Sequence, residues 1–320
     1  MIKLGNSGVW VSAWTKTMLS RYRSYAIGVD NMPLRNDGYF GSDEEKVQKE
    51  YQRRTKQPET GIVSDKDLHN IGLLPTLFSI HGSGQPDPFG IGYPADIARR
   101  LTDVYWWQPV GNYPATSVPM NDSADAGEHE LHKLVLKAPG PVAFVDYSQG
   151  SIVGGRVRNK IRRGEINKTI VAAASFGNPM RPPGSYAGTV DPGGMGIDPV
   201  LEYKDPRCIN LAAKGDLYTT CPAGNVGEME RSIFNIVFSD FTGEDSIFEQ
   251  LIEIVRQPWV EVPAVVFALW NGGLFLVRGT GPHVQYHLKE CPGTGMTYYE
   301  YAIKYLRDSA YSRLEQIARS

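Results

Sequence analysis

Cysteine is scarce in this sequence, with 3 in 320 residues. Cys208, Cys221 and Cys291 have neither the spacing of a metal-ligand cluster nor the density of a disulfide framework, and they read as buried thiols. Because Cys208 and Cys221 bracket one turn, a single disulfide between them stays open. An excess of either charge is also missing. The chain sets 33 Lys and Arg against 35 Asp and Glu, a net charge of −2, so no surplus of cations is left to neutralise a phosphate backbone. Nucleic acid is therefore not an expected partner. Long hydrophobic runs are absent as well. The most apolar stretch, Val262 to Val277, is broken by Pro263, Asn271, Gly272 and Gly273 and falls short of the ~20 residues that a membrane-spanning helix needs. Behind Met1 the chain passes directly into Gly5, Asn6 and Ser7, without the apolar core of a secretory signal.

What is present begins with a polar, charged stretch that has its own small apolar set. Val11, Trp14 and Met18 recur at spacings of three and four, which places them on one helix face. Asp37 to Gly41 reads as a turn. Ser42 with Glu45, ahead of Val47 and Tyr51, has the pattern of a capping box, and Ser64 with Asp67 repeats it ahead of Leu68 and Ile71. The charged run Gln52 to Lys56 reads as a solvated helix face. Residues 1–72 are thus expected to form a three-helix unit, and they contain no catalytic constellation. The motifs Leu4-Gly5, Asp37-Gly-Tyr-Phe-Gly41, Tyr51-Gln-Arg-Arg54 and Thr60-Gly-Ile-Val63 resemble the small peptidoglycan-binding domain appended to many cell-wall hydrolases. That resemblance covers nearly all of 1–72 and implies wall targeting.

From residue 73 onward the pattern changes. Short apolar runs at Leu77–Ile80, Val142–Val145, Ile170–Ala173 and Cys208–Ala213 alternate with helical periodicity at Ala95–Trp107, at Ala124–Lys137 and behind residue 148. Strands alternating with helices require a parallel sheet covered on both faces, so the fold class of residues 73–320 is α/β. Trp106 and Trp107 are expected either in the core or along a groove for an apolar chain. His129 and His132 are placed on or near a helix surface, and the Gly- and Pro-rich stretch Pro182 to Val200 is read as a long surface loop. A helical insertion is expected at about 224–270. Its apolar residues fit either a lid or a subdomain with its own core.

The stretch Phe144-Val-Asp-Tyr-Ser-Gln-Gly150 has the form of a nucleophile elbow, a strand meeting a helix in a tight turn that lifts Ser148 clear. Asp146 stands where the G-x-S-x-G pattern has its first glycine. Upstream, the run Leu77–Ile80 delivers the loop His81-Gly82-Ser83-Gly84. The backbone N–H of Ser83, paired with that of Gln149, is the candidate oxyanion hole, and His81 is expected to hold the loop by hydrogen bonds. With such an elbow the chain order is serine, acid, histidine. His69, His81, His129 and His132 precede Ser148, which leaves His283 and His287. His283, on a loop ahead of a helix, is preferred over His287 one turn inside it. Among the acids between, Asp216 alone follows a short apolar strand through a tight Lys214-Gly215 turn, and it is assigned to orient His283.

The motifs His81-Gly-Ser-Gly-Gln-Pro-Asp-Pro88, Trp107-Gln-Pro-Val-Gly-Asn-Tyr-Pro114, Tyr147-Ser-Gln-Gly150, Gly177-Asn-Pro-Met-Arg181, Gly215-Asp-Leu-Tyr218 and Pro282-His283 together resemble the Lysin B family of mycobacteriophages, across about 75–290. The resemblance implies a cutinase-like α/β-hydrolase with the triad Ser148, Asp216 and His283. It also implies hydrolysis of the ester joining mycolic acids to arabinogalactan, with neither metal nor organic cofactor. By the same resemblance the protein is made in the host cytoplasm and reaches the envelope once the inner barrier is breached. Two rivals remain at this level: an esterase for smaller lipids on the same triad, and an inactive wall-binding protein, for which Asp146 is the one hint.

Overall fold

Alternation of side chains across a strand determines how this molecule is layered. In the computed structural model, β1 (Thr76–Ile80) is buried along its whole length. Leu77 belongs to one apolar cluster, while its neighbours Phe78 and Ile80 belong to another. The same division runs through β3 (Val142–Tyr147), where Ala143 and Val145 face the first cluster and Val142 and Phe144 the second. A sheet that is apolar on both faces needs cover on both faces. Helices α5 (Met120–Lys137) and α6 (Gln149–Arg162) cover one, and α4 (Tyr93–Arg99) with α8 (Tyr298–Arg319) the other. Residues 1–116, 120–224, 227, 228, 231 and 280–320 are described by the structure. The expected insertion at about 224–270 lies almost entirely outside the described residues.

With β2 (Trp106–Pro109), β4 (Ile170–Phe176) and β5 (Cys208–Leu211), the sheet has the order β2-β1-β3-β4-β5 and every pairing is parallel. The one-turn helix α7 (Thr280–His283) and the small antiparallel pair β6 (Glu290–Cys291) and β7 (Met296–Thr297) lead into α8. This is the parallel α/β arrangement that the alternating pattern predicts, and it agrees with the α/β-hydrolase fold that the resemblance implies. One strand was not predicted. The helical spacing read over Ala95–Trp107 ends as a helix at Arg99, and Trp106 to Pro109 form the edge strand β2. Leu101, Val104 and Tyr105 remain buried because the turn between α4 and β2 lies against the same apolar cluster, so the periodicity outlasts the helix. Pro109 is tolerated because β2 is at the edge.

Helices α1 (Val9–Arg21), α2 (Ser42–Arg54) and α3 (Asp65–Asn70) gather Val11, Trp14, Met18, Val47, Tyr51, Leu68 and Ile71 into a third cluster. Ser64 caps α3 as expected, exchanging hydrogen bonds with Asp67. The cap of α2 lies one residue earlier than the expected Ser42–Glu45 pair. Gly41 is its N-cap, and Glu44 Oε2 accepts the Gly41 N–H at 2.9 Å. Arg53 to Lys56 are exposed, whereas Gln52 is buried and donates to Ile62 O at 3.0 Å. The third cluster also contains Leu314 of α8, so the helical unit shares its core with the last helix of the chain. Among the described residues, no helix is long and apolar enough to cross a membrane.

His69 sits where the helical unit meets the sheet. Its ring stacks on Trp106 at 4.6 Å and its Nε2 lies 2.9 Å from Thr76 Oγ1. Burial pulls its pKa from 6.5 down to about 4. Protonation is therefore penalised in the folded state, the unfolded chain binds more protons across that interval, and stability rises with pH through it. The contribution is complete above the unfolded value and is lost as pH falls toward the folded one. The melting temperature of the wild type is expected to drop more from about pH 7 to about pH 4.5 than that of His69→Phe, which keeps the stack. Equal drops would remove His69 as the cause.

Candidate active site

At the carboxyl end of β3 the chain reverses into α6 through a single residue. Ser148 has φ 55 and ψ −122, a left-handed backbone that costs a non-glycine residue on the order of 1–3 kcal/mol. Its neighbours hold it there. The Ser148 N–H donates to Phe176 O at 2.9 Å, and the Ser151 N–H to Ser148 O at 2.8 Å. A Cβ on Gly150 would lie 2.4 Å from the carbonyl oxygens of both Ile80 and His81, so the small residue after the serine is what lets helix and strand approach.

The three residues selected from the sequence meet in one hydrogen-bonded chain. His283 Nε2 lies 2.9 Å from Ser148 Oγ, and His283 Nδ1 lies 2.9 Å from Asp216 Oδ2. With the carboxylate claiming the Nδ1 proton, Nε2 is left to accept from the serine hydroxyl. Asp216 is fully buried beyond β5, behind the turn at Gly215 with φ 85. His283 ends the one-turn helix α7 rather than lying on an open loop. His287 is exposed, with its Nδ1 2.9 Å from the Tyr93 hydroxyl.

Four further residues shape this chain, and none was assigned a role from the sequence. The buried Tyr286 hydroxyl donates to Asp216 Oδ2 at 2.5 Å, while the Tyr218 N–H donates to Oδ1 at 3.0 Å. Burial and the adjacent carboxylate raise the Tyr286 pKa far above the ordinary phenol value, so it remains a donor. The His283 ring packs against the rings of Tyr218, at 4.4 Å, and Tyr147, at 5.1 Å. Its edge is closed by Gly177, where a Cβ would come within 2.4 Å of His283 Cε1. Tyr147, Gly177 and Tyr218 stand inside recognisable motifs. Tyr286 reads from sequence as any buried aromatic.

Ser83 and Gln149 face one another across the loop that follows β1, with Ser83 Oγ donating to Gln149 Oε1 at 3.2 Å. Gln149 Nε2 also donates to Thr116 O and Met120 O, which fixes the side chain. As the first residue of α6, Gln149 offers a backbone N–H with no intrahelical acceptor. In the loop 82–85 the N–H groups of Gly82, Gly84 and Gln85 are all engaged, and that of Ser83 has no acceptor among the described residues. His81 corrects an expectation. It is 2% exposed and neither ring nitrogen has a hydrogen-bond partner, so it holds the loop by packing. Burial lowers its pKa and keeps the ring neutral.

All three cysteines are free, which closes the question of a bridge between Cys208 and Cys221. Cys208 Sγ instead lies 2.9 Å from Arg162 Nη2. The stretch 182–200 is only partly a surface loop. Buried Arg181 donates to the carbonyls of Ser185, Gly194 and Thr219, and Ile197 and Asp198 are themselves buried.

Comparison with known proteins places this geometry. No family model matches the chain. Endolysin B of Mycobacterium phage L5 is 35% identical over 237 residues, covering 65% of this chain and 92% of that protein. Endolysin B of Mycobacterium phage D29 is 35% identical over 228 residues, covering 64% and 90% respectively. The crystal structure of lysin B from mycobacteriophage D29 superimposes with a TM-score of 0.54 at 31% identity, covering 73% of this chain and 99% of that one.

The Tyr286 hydrogen bond is charge-assisted and buried, and removing such a bond typically costs about 1.5–3 kcal/mol. Tyr286→Phe is expected to lose that much in urea denaturation. Stability equal to wild type would show that Tyr286 does not hold Asp216.

Proposed function

Because the chain belongs to the endolysin B family of mycobacteriophages, we propose that it is a serine esterase acting on the ester between mycolic acids and arabinogalactan. The observation that carries this reading is the unbroken Ser148–His283–Asp216 chain at a strained strand-to-helix turn. His283 Nε2 takes the hydroxyl proton as Ser148 Oγ attacks the ester carbonyl. Asp216, held by Tyr286 and the Tyr218 N–H, stabilises the resulting imidazolium. The N–H groups of Ser83 and Gln149 receive the oxyanion of the tetrahedral intermediate. Collapse expels the sugar hydroxyl, protonated by His283, and leaves the acyl group on Ser148. Water, deprotonated by the same imidazole, then frees the fatty acid. Each step uses side chains and backbone of this chain, with no cofactor required.

The helical unit of residues 1–72 we assign to peptidoglycan, on the strength of its motifs, and the site of action to the host envelope after the inner barrier is breached.

Purified mycolylarabinogalactan provides the test. Wild type is expected to release mycolic acid, and Ser148→Ala to lose at least ~10³-fold in rate. Near-normal turnover by the variant would refute the assignment of Ser148. Hydrolysis of short-chain esters without release of mycolic acid would instead support an esterase for smaller lipids. The same Ser148→Ala protein is expected to co-sediment with peptidoglycan stripped of mycolates, and failure to do so would sink the role given to 1–72.

A further inference from the structure

Asp146 occupies the place where an elbow of this kind ordinarily has glycine, two residues before Ser148, and its side chain is completely buried. The room for it is made on the facing helix. A Cβ on Gly154 would lie 2.4 Å from Asp146 Oδ2 and 2.8 Å from Arg158 Nη1, so the glycine missing from the strand has its counterpart on α6. Asp146 Oδ2 accepts from Arg158 Nη1. Arg158, also fully buried, turns its remaining nitrogens elsewhere. Nε donates to Glu202 Oε1 at 2.6 Å, and Nη2 to Glu202 Oε2 and to Ser175 Oγ, both at 3.0 Å.

The contacts of this guanidinium lead, directly or through one or two further residues, to segments that hold or precede members of the triad. Ser175 is the β4 residue paired with Asp146 across the sheet, and β4 ends at Phe176, whose carbonyl holds the Ser148 N–H. Glu202 Oε2 accepts from Asn178 Nδ2 at 3.2 Å, and Asn178 Nδ2 also reaches Asn210 Oδ1 at 2.8 Å. Asn178 follows Gly177, which lies against His283. Asn210 is on β5, the strand that leads to Asp216. Arg162 completes the array with bonds to Glu202 at 2.8 Å and Asp205 at 3.2 Å.

We propose that the buried Asp146–Arg158–Glu202 array positions the triad, fixing the elbow and the start of α6 against the ends of β4 and β5. The inference rests on the esterase reading of Ser148. A glycine elbow achieves close approach by having no side chain, and apolar contacts around it tolerate small slips of helix against strand. A buried charge tolerates far less. Asp146 Oδ1 is buried without a partner and burial raises the carboxyl's pKa, so its ionised form rests on the one bond that Oδ2 accepts from Arg158, and a slip of helix against strand would leave it without compensation. Stability alone does not call for such an array, because apolar residues of similar volume often replace buried ion pairs without loss. A geometric role accounts for why charges lie directly beneath the reacting serine.

Asp146→Asn keeps the shape and one acceptor oxygen but removes the charge. Ser175→Ala removes the hydrogen bond that Arg158 donates to a neutral hydroxyl acceptor and serves if the first variant does not fold. Both are compared with wild type well below their melting temperatures, by kcat and KM on p-nitrophenyl butyrate and by the rate of Ser148 labelling with a fluorophosphonate. For Asp146→Asn, kcat and labelling rate are expected to fall about 10- to 100-fold with KM within about twofold of wild type, and for Ser175→Ala a few-fold. Folded Asp146→Asn with wild-type kcat and labelling, whatever its melting temperature, would reduce the array to a stabilising element and overturn the proposal. Unchanged kcat in Ser175→Ala has the same force if Asp146→Asn cannot be obtained folded. A wild type that neither takes the label nor hydrolyses the ester fails at an earlier point, and removes the esterase reading together with the inference built on it.

Discussion

The constraint on which this structure depends is the backbone of Ser148. Left to itself, a serine at φ 55 would relax into the extended or helical region, which would turn its hydroxyl away from His283. It is kept in place because β3 is central, paired on one side with β1 and on the other with β4, so that neither end of the turn can slide. The strain is local and the restraint is distributed. Gly82 and Gly150 belong to the same constraint. A Cβ on Gly82 would come within 2.9 Å of the Tyr147 ring, so the loop after β1 can lie over the elbow only if that position has no side chain.

The second requirement is electrostatic. Asp216 has no exposure to solvent, and a buried carboxylate is tolerable only when hydrogen bonds replace its water. Here His283, Tyr286 and the Tyr218 N–H supply three donors to its two oxygens. A carboxylate so held has little freedom to rotate, and its direction sets that of the imidazole. The rings of Tyr147 and Tyr218, packed against His283, then restrict it further. Glu202, also buried, follows the same rule. Its burial disfavours the charge, yet Arg158 and Arg162 outweigh that and hold its carboxyl below the ordinary range.

Legibility from sequence divides along physical lines. Ser148, Asp216 and His283 were readable because each sits at the end of a short apolar strand or beside glycine and proline, and because chain order removes most histidines. The capping pair Ser64–Asp67 was readable because it is local. The edge strand at Trp106–Pro109 was not, since four half-buried residues ending in proline have no alternation to mark them, and the buried turn before them continues a helical spacing. Arg158 and Glu202 are 44 residues apart and meet Asp146 only through the fold. No pattern in one sequence announces a pairing of that range. Tyr286 was hidden for a different reason, because a tyrosine whose ring packs in the core and whose hydroxyl serves a carboxylate carries the same sequence signal as one that only packs.

Helix α8 explains how the helical unit is joined to the sheet without a cluster of its own between them. Its buried residues Tyr298, Ala302, Leu306, Ala310 and Leu314 recur every four positions. On a helix of 3.6 residues per turn such a stripe advances by about 40° at each step, and by roughly 160° from its first member to its last. The first four residues therefore face the sheet, where the Leu306 carbonyl accepts from the Tyr105 hydroxyl at 2.7 Å. Leu314 has rotated into the cluster formed by α1, α2 and α3. Arg313 beside it donates to the carbonyls of Gly72 and Leu73, and Arg21 of α1 to that of Ile71, so the segment between the two parts is held by hydrogen bonds from both sides. Had the stripe repeated at three and four alternately, it would have stayed on one face and served one core. A drift of this size lets a single helix close two, and ties the helical unit to the sheet through packed apolar surface instead of a flexible linker.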